Sequence, residues 1–378
     1  MSACWQQALT DIWGIEADLT RLDGEYDLNF LVSGERDYVL KVMRVGCGAP
    51  FIELQVQALE HLRQNAPNLP VPDVISTLEG GLVAKAQDEA GAPRILWLLE
   101  KLPGRTYALH RPHDAGLIYQ LGQAMGRMDA AMADFTHAEL ERDFKWNLMQ
   151  ANWVEGELDA IAGTDRHALI AEIAEEFRAA LPVLHALPKQ AIHNDINDYN
   201  ILVTGSLTEP AAISGLIDFG DMCAAPRICN LAIAAAYVVL GHEAPEQVLE
   251  ALVAGYHAAN PLTARECDLL WPLLRARLAV SVVNSTMMAL ENPDDPYVTI
   301  SQAPAWAFLE SHGVNAGLVS ARLRVACGLP VTDGADRVMD GWTASAGISR
   351  PFWGGIWGVC RWARWRWKTS PCRRIRST

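Results

Sequence analysis

Two short polar strings, each beside an apolar run, constrain this chain more than any other feature of its sequence. The first, HNDINDYN, places the carboxylate of Asp195 five residues before the amide of Asn200. The second, LIDFGD, supplies another carboxylate at Asp218, which a phenylalanine and a glycine follow. The neighbouring apolar runs are short and typical of strands, so a fold that pairs those strands would collect the polar groups in one place.

These polar groups meet the requirements of phosphoryl transfer. An aspartate accepts the proton of the acceptor hydroxyl, while an asparagine and a second aspartate hold Mg²⁺ on the nucleotide phosphates. Protein kinases space these parts as H-R-D-x-x-x-x-N and D-F-G, and this chain has H-x-D-x-x-x-x-N and D-F-G in the same order. The sequence therefore predicts Asp195 as the catalytic base, with Asn200 and Asp218 as the ligands of Mg²⁺.

The paired motifs resemble those of the aminoglycoside phosphotransferase and choline kinase superfamily. Within it the chain is most similar to hydroxylysine kinase and its bacterial relatives, through the strings LDGEYDLNFLV, YVLKV, LLEKLPGR and ENPDDPYV. The resemblance implies an α+β fold with two lobes, like that of protein kinases. Residues 1–100 would form a small, mainly β, nucleotide-binding lobe with one helix, and residues 101–330 a larger, mainly α lobe for catalysis and substrate binding.

Hydrophobic periodicity supports this arrangement. Up to residue 100, strands predominate in the pattern: Leu22–Val32, Asp37–Arg44, Val71–Leu78, Gly81–Ala86 and Arg94–Leu99, with helices at Met1–Ile15 and Phe51–Gln64. Beyond a Pro-Gly turn the pattern predicts mostly helices: Asp114–Met132, Asp165–Leu184, Cys229–Gly241, Pro245–Ala259, Thr263–Leu290 and Ala303–Ser311. Short strands at Gln190–Ile192, Ile201–Thr204 and Ala212–Asp218 are expected to carry the two polar strings.

A lysine in the strand-like string YVLKV is the candidate for binding phosphate. Lys41 resembles the strand lysine that neutralises the α- and β-phosphates in kinases, and a helix with acidic residues follows it. Glu53 and Glu60 are both candidates for its ion-pair partner, because seven residues place them near one helix face. Glu53 is the preferred partner.

Two further segments are expected to enclose the nucleotide. The hairpin Leu22–Phe30 should cover the nucleotide. It has one glycine, Gly24, where protein kinases have G-x-G-x-x-G, and this difference argues against a protein kinase. The segment Leu98–Leu102, which includes Leu99 and Lys101, should be the hinge whose backbone groups meet adenine or guanine.

Five neighbouring residues complete the predicted site. His193 is expected to order the loop through backbone hydrogen bonds rather than to titrate in the reaction. Asn194 stands where relatives usually carry glycine, and a loop with positive φ can accept asparagine. Asp198 and Asp221 could each meet a substrate ammonium or be solvated, and both readings remain open. Asn230 stands where relatives tend to carry an acidic residue.

Composition limits the partners and the compartment. A net charge of −14 argues against general attraction of the folded body to nucleic acid or anionic membrane. The eight cysteines show no paired zinc spacing, and neither a secretory signal nor an apolar stretch of transmembrane length is evident. These features predict reduced thiols and a cytoplasmic protein.

The C-terminal tail, residues 331–378, differs from the rest of the chain. Its residues 341–378 contain no Asp or Glu but eight Lys/Arg and six of the thirteen tryptophans. One interpretation is a segment that contacts a membrane or nucleic acid. The favoured one is a poorly ordered extension without a selected role, because its apolar positions do not form a helical stripe.

Together these features predict a kinase that uses ATP or GTP with Mg²⁺ and phosphorylates a hydroxyl of a small amine-bearing metabolite. The resemblance points first to 5-hydroxylysine as this substrate. Two alternatives stay open: an aminoglycoside antibiotic phosphotransferase and an inactive nucleotide-binding scaffold. A protein kinase is disfavoured because Ser and Thr are absent between Asp221 and Ala244, and a hydrolase because the chain lacks G-x-S-x-G.

Overall fold

A computed structural model describes residues 2–333, except 23, 25–26, 162, 207, 292–301 and 312–314. From residue 334 onward the predicted tail lies outside the described residues, and so does most of the ENPDDPYV string. The described chain begins with a mainly β part, which a larger helical part follows.

The N-terminal part contains a five-stranded antiparallel sheet in the order β1-β2-β3-β5-β4. Its strands in chain order are β1 Asp18–Leu22, β2 Leu28–Ser33, β3 Tyr38–Val42, β4 Ala84–Gln87 and β5 Pro93–Glu100. The prediction of one strand over Leu22–Val32 was wrong, because β1 ends at Leu22 and β2 begins at Leu28. The predicted strand Val71–Leu78 contributes only an isolated bridge between Val74 and Leu99.

The two faces of this sheet bury different helices. Helix α1, Ser2–Trp13, shares a core with Leu96 and Leu98 of β5, whereas the alternate residues of β5 belong to the core that contains α2, Ala49–Asn65. This division follows from the period of two along a strand, which sends successive side chains to opposite faces. The core on the α2 side continues into the helical part of the protein.

The helical part contains α3 Ala115–Ala131, α4 Thr164–His185, α5 Arg227–Val238, α6 Pro245–Ala259, α7 Ala264–Glu291, α8 Gln302–Ser311 and α9 Ala316–Ala326. The predicted helices here are confirmed to within three residues at each end, and α9 was not predicted. Helices α3 and α6 approach closely because each has a glycine against the backbone of the other. A Cβ on Gly122 would lie 2.1 Å from the carbonyl oxygen of Leu252, and one on Gly255 would lie 2.1 Å from that of Tyr119.

Short strands hold the two polar strings next to each other. They are β6 Arg105–Thr106, β7 Gln190–Ile192, β8 Ile201–Thr204, β9 Ala212–Leu216 and β10 Cys223–Ala225. Strands β6, β8 and β9 form one sheet, and β7 pairs with β10. HNDINDYN therefore connects β7 to β8, while LIDFGD connects β9 to β10, so that both strings join the same two small sheets.

Helix α7 is long and apolar enough to cross a membrane by length and composition, contrary to the expectation from the sequence. However, 72% of its apolar window is buried inside the protein. The core helix of a soluble protein meets the same criterion, and α7 also carries the buried Arg275 and Arg277. Its apolar character is explained by packing in the core.

Candidate active site

The two polar strings are joined through Ile217, which immediately precedes Asp218. The backbone N–H of Ile217 donates to the carbonyl of Asn200 at 3.0 Å, and the Ile217 carbonyl accepts from Nε2 of His193 at 3.0 Å. The other ring nitrogen of His193 accepts the N–H of Asp195 at 3.2 Å. Burial lowers the pKa of His193 to about 4, so the ring is neutral and its tautomer is fixed by these two bonds. The predicted backbone bonding of His193 is present.

Asp195 lies at the centre of the loop with both carboxylate oxygens held. Oδ2 accepts hydrogen bonds from the amide nitrogens of Asn197 at 3.0 Å and Asn200 at 2.8 Å. Oδ1 accepts from Nη2 of Arg277 at 3.0 Å. Burial raises the pKa of Asp195 to about 7, against the lowering effect of Arg277. The side chain remains 22% exposed, so part of it is open to solvent.

Asn200 is oriented by the same contacts. Its amide nitrogen donates both to Oδ2 of Asp195 and to the Asp195 carbonyl, the latter at 2.9 Å. Because its N–H groups are directed to Asp195, the carbonyl oxygen of the Asn200 amide is the atom that can ligate a cation. This orientation agrees with the predicted role of Asn200 in holding metal, which stays a prediction.

Lys41 of β3 reaches across to Asp218. Its Nζ lies 3.2 Å from Oδ1 of Asp218 and 5.8 Å from the centre of the Trp97 ring. The charge of Lys41 holds the pKa of Asp218 below its usual range, so Asp218 is ionised at neutral pH. This contact places the strand lysine of the N-terminal sheet beside the D-F-G carboxylate.

The oxygen donors fit Mg²⁺ carried by a nucleotide. Within the described ranges, no group of three or more His, Cys, Asp or Glu side chains could hold a metal by itself. Mg²⁺ typically takes one or two protein carboxylates and fills its other positions with phosphate oxygens and water. Asp218, half of whose side chain is exposed, and Asn200 provide a donor set of this kind.

The predicted ion pair between Lys41 and Glu53 is not formed. In the part of the chain that the structure describes, Lys41 pairs with Asp218 instead. Glu53 is exposed on α2, and Glu60 pairs with Arg63 at 2.9 Å. The physical reason is the orientation of α2, whose buried face contains Leu54 and other apolar residues, so that Glu53 projects into solvent.

The other residues predicted to meet the nucleotide lie in the N-terminal sheet or directly beside its strands. A Cβ on Gly24 would lie 2.5 Å from the amide nitrogen of Asn29, so a larger residue there would displace the Asn29 side chain. Leu99 is buried in β5, and the backbone N–H of Lys101 donates to the carbonyl of Asp37 at 3.2 Å. The contacts of Gly24, Leu99 and Lys101 with a nucleotide stay predictions.

Asn230 supports the loop from behind. Asn194 has the positive φ expected for its position, 67°, and its N–H donates to Oδ1 of Asn230 at 3.1 Å. The amide nitrogen of Asn230 donates to Asp129 of α3 at 2.7 Å, and the hydroxyl of Tyr256 on α6 also donates to Asp129 at 2.7 Å. A buried carboxylate, that of Asp129, therefore lies directly behind Asn230.

Asp129 gives this network a pH-dependent contribution to stability. Burial raises the pKa of Asp129 to about 7, although Tyr256 and Asn230 donate to it and the charge of Arg227 lowers it. Because this pKa exceeds that of the unfolded chain, the contribution is lost as the pH rises towards 7. The Asp129→Asn variant cannot ionise at this position and should not show the loss. The difference between the free energy of unfolding of the variant and that of wild type should therefore rise by about 2–3 kcal/mol between about pH 5 and about pH 8. Denaturant titrations across that range measure the difference.

The exposed Asp73→Asn variant is the control for this prediction, because the same chemical change outside the network should alter the free energy of unfolding by less than about 0.5 kcal/mol. A constant difference for Asp129→Asn would contradict the assigned raised pKa.

Sequence reasoning missed Arg277, although it contacts the predicted base directly. The signal was the pair of arginines in the apolar string LLRARLAVSVV, which places charge in a helix that is otherwise buried. Which carboxylate each arginine meets depends on helix packing, so the string alone could not identify Asp195 as the partner.

Comparisons with known proteins agree with this geometry. The phosphotransferase enzyme family matches residues 18–267. Hydroxylysine kinase of Danio rerio is 27% identical over 297 residues, covering 75% of this chain and 83% of the relative. Hydroxylysine kinase of Xenopus laevis is 26% identical over 337 residues, covering 81% of this chain and 87% of the relative.

Solved structures resemble the chain in fold. A microcompartment-associated aminopropanol kinase has a TM-score of 0.61 at 19% identity, covering 88% of this chain and 100% of its own. An amicoumacin kinase in complex with AMP-PNP, Ca²⁺ and Ami has a TM-score of 0.61 at 16% identity, covering 82% and 93%. The predicted α+β, kinase-like fold is therefore confirmed. Since the family match extends over more than half of this chain, the chain belongs to the phosphotransferase enzyme family, as a kinase of small molecules.

Proposed function

We propose that the protein is a cytoplasmic kinase that transfers the γ-phosphoryl group of Mg²⁺-bound ATP or GTP to a hydroxyl of a small amine-bearing metabolite. The first candidate for this acceptor is 5-hydroxylysine. The observation that carries the proposal is the convergence of a base, an amide, a carboxylate and a lysine: Asp195, Asn200, Asp218 and Lys41.

Each of these side chains is suited to one part of the reaction. Asp195 would accept a hydrogen bond from the acceptor hydroxyl and take its proton through Oδ1, which holds one donor whereas Oδ2 holds two. Lys41 would exchange its contact with Asp218 for the nucleotide phosphates. Asn200 and Asp218 would hold Mg²⁺, which when bound supplies positive charge that neutralises the transferring phosphoryl group.

The proposed acceptor class is supported by two kinds of observation. Two aspartates of the polar strings have no part in the proposed base and metal roles, and negative charge there would favour an acceptor that carries an ammonium group: Asp198 and Asp221. The curated relatives are named hydroxylysine kinase, and one solved structure is named aminopropanol kinase. These names describe compounds with both an amine and a hydroxyl.

A substrate screen with both nucleotides tests the proposal. Purified protein with Mg²⁺ and either ATP or GTP is incubated with 5-hydroxylysine, aminopropanol, choline, ethanolamine, kanamycin and spectinomycin, and nucleoside diphosphate release is followed. We expect release that depends on 5-hydroxylysine. Turnover of kanamycin or spectinomycin alone, with raised drug tolerance in a sensitive host, would instead identify an antibiotic kinase. Nucleotide binding without release for any acceptor would indicate an inactive scaffold.

A further inference from the structure

Arg277 connects three segments of the site from inside the protein. Only 1% of the residue is exposed, and its three guanidinium nitrogens donate in three directions. Nε donates to the hydroxyl of Tyr237 on α5 at 3.2 Å, Nη1 to the carbonyl of Trp146 at 3.1 Å, and Nη2 to Oδ1 of Asp195 at 3.0 Å. The base is therefore held by a group whose own position is fixed at two other points.

The environment of Arg277 is costly for a charge unless the charge is paired. The guanidinium lies 4.7 Å from the centre of the Trp146 ring and 5.5 Å from that of Tyr237, in the interior of the protein. Its ion-pair partner in the described part of the chain is Asp195. Apolar residues that replace a buried ion pair are often equally stabilising or better, so stability alone does not account for an arginine here.

The contacts of Asp195 show what Arg277 adds. Oδ2 is held by the amides of Asn197 and Asn200, which belong to the same short loop as Asp195 itself. Oδ1 is held by Arg277, which approaches from α7, 82 residues further along the chain. Because both oxygens accept hydrogen bonds, the carboxylate cannot rotate without breaking a charge-assisted hydrogen bond. The lone pair of Oδ1 that accepts no hydrogen bond is therefore held in one orientation.

We propose that Arg277 is a positioning residue that fixes the Asp195 carboxylate so that Oδ1 is presented to the acceptor hydroxyl. The inference rests on the proposed function, because it assigns Arg277 a role through the catalytic base. Trp146 strengthens the link, since its carbonyl accepts from both Arg277 and the side-chain amide of Asn194, at 3.2 Å. A displaced guanidinium would therefore loosen two residues of the catalytic loop together.

Three variants test the role. Arg277→Gln should lower kcat by about 10- to 100-fold, because small misplacements of a reacting group are costly, while the KM for nucleotide changes by less than about threefold. Arg277→Lys keeps the charge without the fork of donors and should have an intermediate kcat. The matched control is Arg275→Gln. Arg275 lies on the same helix, is 4% exposed and pairs with Glu172 and Glu176 away from the loop. The Arg275→Gln variant should be less stable than wild type, but its folded fraction should have the wild-type kcat.

A double-mutant cycle distinguishes positioning from a merely structural effect. If Arg277 acts through Asp195, adding Arg277→Gln to Asp195→Asn should lower kcat no further, whereas independent effects would multiply. Wild-type turnover is measured first, so its absence would reject the proposed function rather than this inference. With an active wild type, a folded Arg277→Gln enzyme with unchanged kcat overturns the inference, and so does a multiplicative cycle. If Arg277→Gln does not fold, a wild-type kcat for Arg277→Lys overturns it instead.

Discussion

Replacing Asp195 with asparagine should lower kcat by about 10²- to 10⁴-fold, the usual contribution of general-base assistance. The substitution keeps the shape of the side chain but removes its capacity to take a proton from the acceptor hydroxyl. Nucleotide binding should survive, because Lys41 and Asp218 contact each other rather than Asp195. Diphosphate release under saturating acceptor measures kcat, and displacement of a fluorescent nucleotide measures binding.

The control for Asp195→Asn is the same substitution at Asp159, an exposed aspartate in the 3₁₀ segment Leu148–Ala160, which should leave both readouts unchanged. Arg277 would lose its ionised partner in Asp195→Asn, so thermal denaturation is needed to show that the variant remains folded at the assay temperature. Wild-type kcat in a folded Asp195→Asn enzyme would remove Asp195 from the role of base.

The sequence could predict that Asp195 and Asn200 lie together, because their short spacing defines the contact. Asp195 and Asn200 lie in one loop, and their contact spans only the four residues between them. The link to Asp218 follows from strand pairing, since the pairing of Ile201 with Leu216 places Asn200 beside Ile217. A local pattern with two predicted strands was therefore enough to bring these groups together.

Contacts that depend on how helices pack could not be predicted in the same way. The seven-residue spacing of Glu53 and Glu60 showed that they share a face of α2, but not whether that face meets Lys41 or solvent. Arg277 reaches Asp195 only because α7 crosses behind the catalytic loop. Likewise, the carboxylate behind Asn230 comes from α3, 101 residues earlier in the chain. Periodicity predicts that a helix has a buried face, but the partner of each residue is decided by tertiary packing.

The boundary between β1 and β2 is a second feature that the sequence pattern did not predict correctly. Leu22 and the apolar residues from Leu28 to Val32 favour strand, but the five residues between Leu22 and Leu28 are mostly polar, and β1 ends at Leu22 while β2 begins at Leu28. Asp27 accepts the backbone N–H of Arg44 at 2.7 Å, a bond to a distant segment that stabilises the end of this connection. Gly24 permits the close approach of Asn29 on the other side. The antiparallel pairing of β1 with β2 agrees with the hairpin predicted for Leu22–Phe30, whereas the bounds predicted for a strand do not.

Replacing Asp218 with asparagine should lower kcat by about 10²- to 10³-fold, as expected when one charged group that stabilises the transferring phosphoryl is removed. It should also raise the Mg²⁺ concentration needed for half-maximal rate, because a neutral amide binds this hard cation more weakly than a carboxylate does. The ion pair with Lys41 is lost as well, but half of the Asp218 side chain is exposed, so the effect on stability should be small. Initial rates across a Mg²⁺ titration at fixed nucleotide measure both effects.

Lys41→Met breaks the same ion pair from the other side and therefore serves as the matched control. Lys41 is proposed to bind the phosphates rather than the metal, so Lys41→Met should raise the KM for nucleotide while the Mg²⁺ requirement stays near that of wild type. If both variants shifted the Mg²⁺ requirement equally, the shift would come from the broken ion pair and not from loss of a ligand. Separate responses would instead assign metal binding to Asp218 and phosphate binding to Lys41, which is the division of roles that the geometry supports.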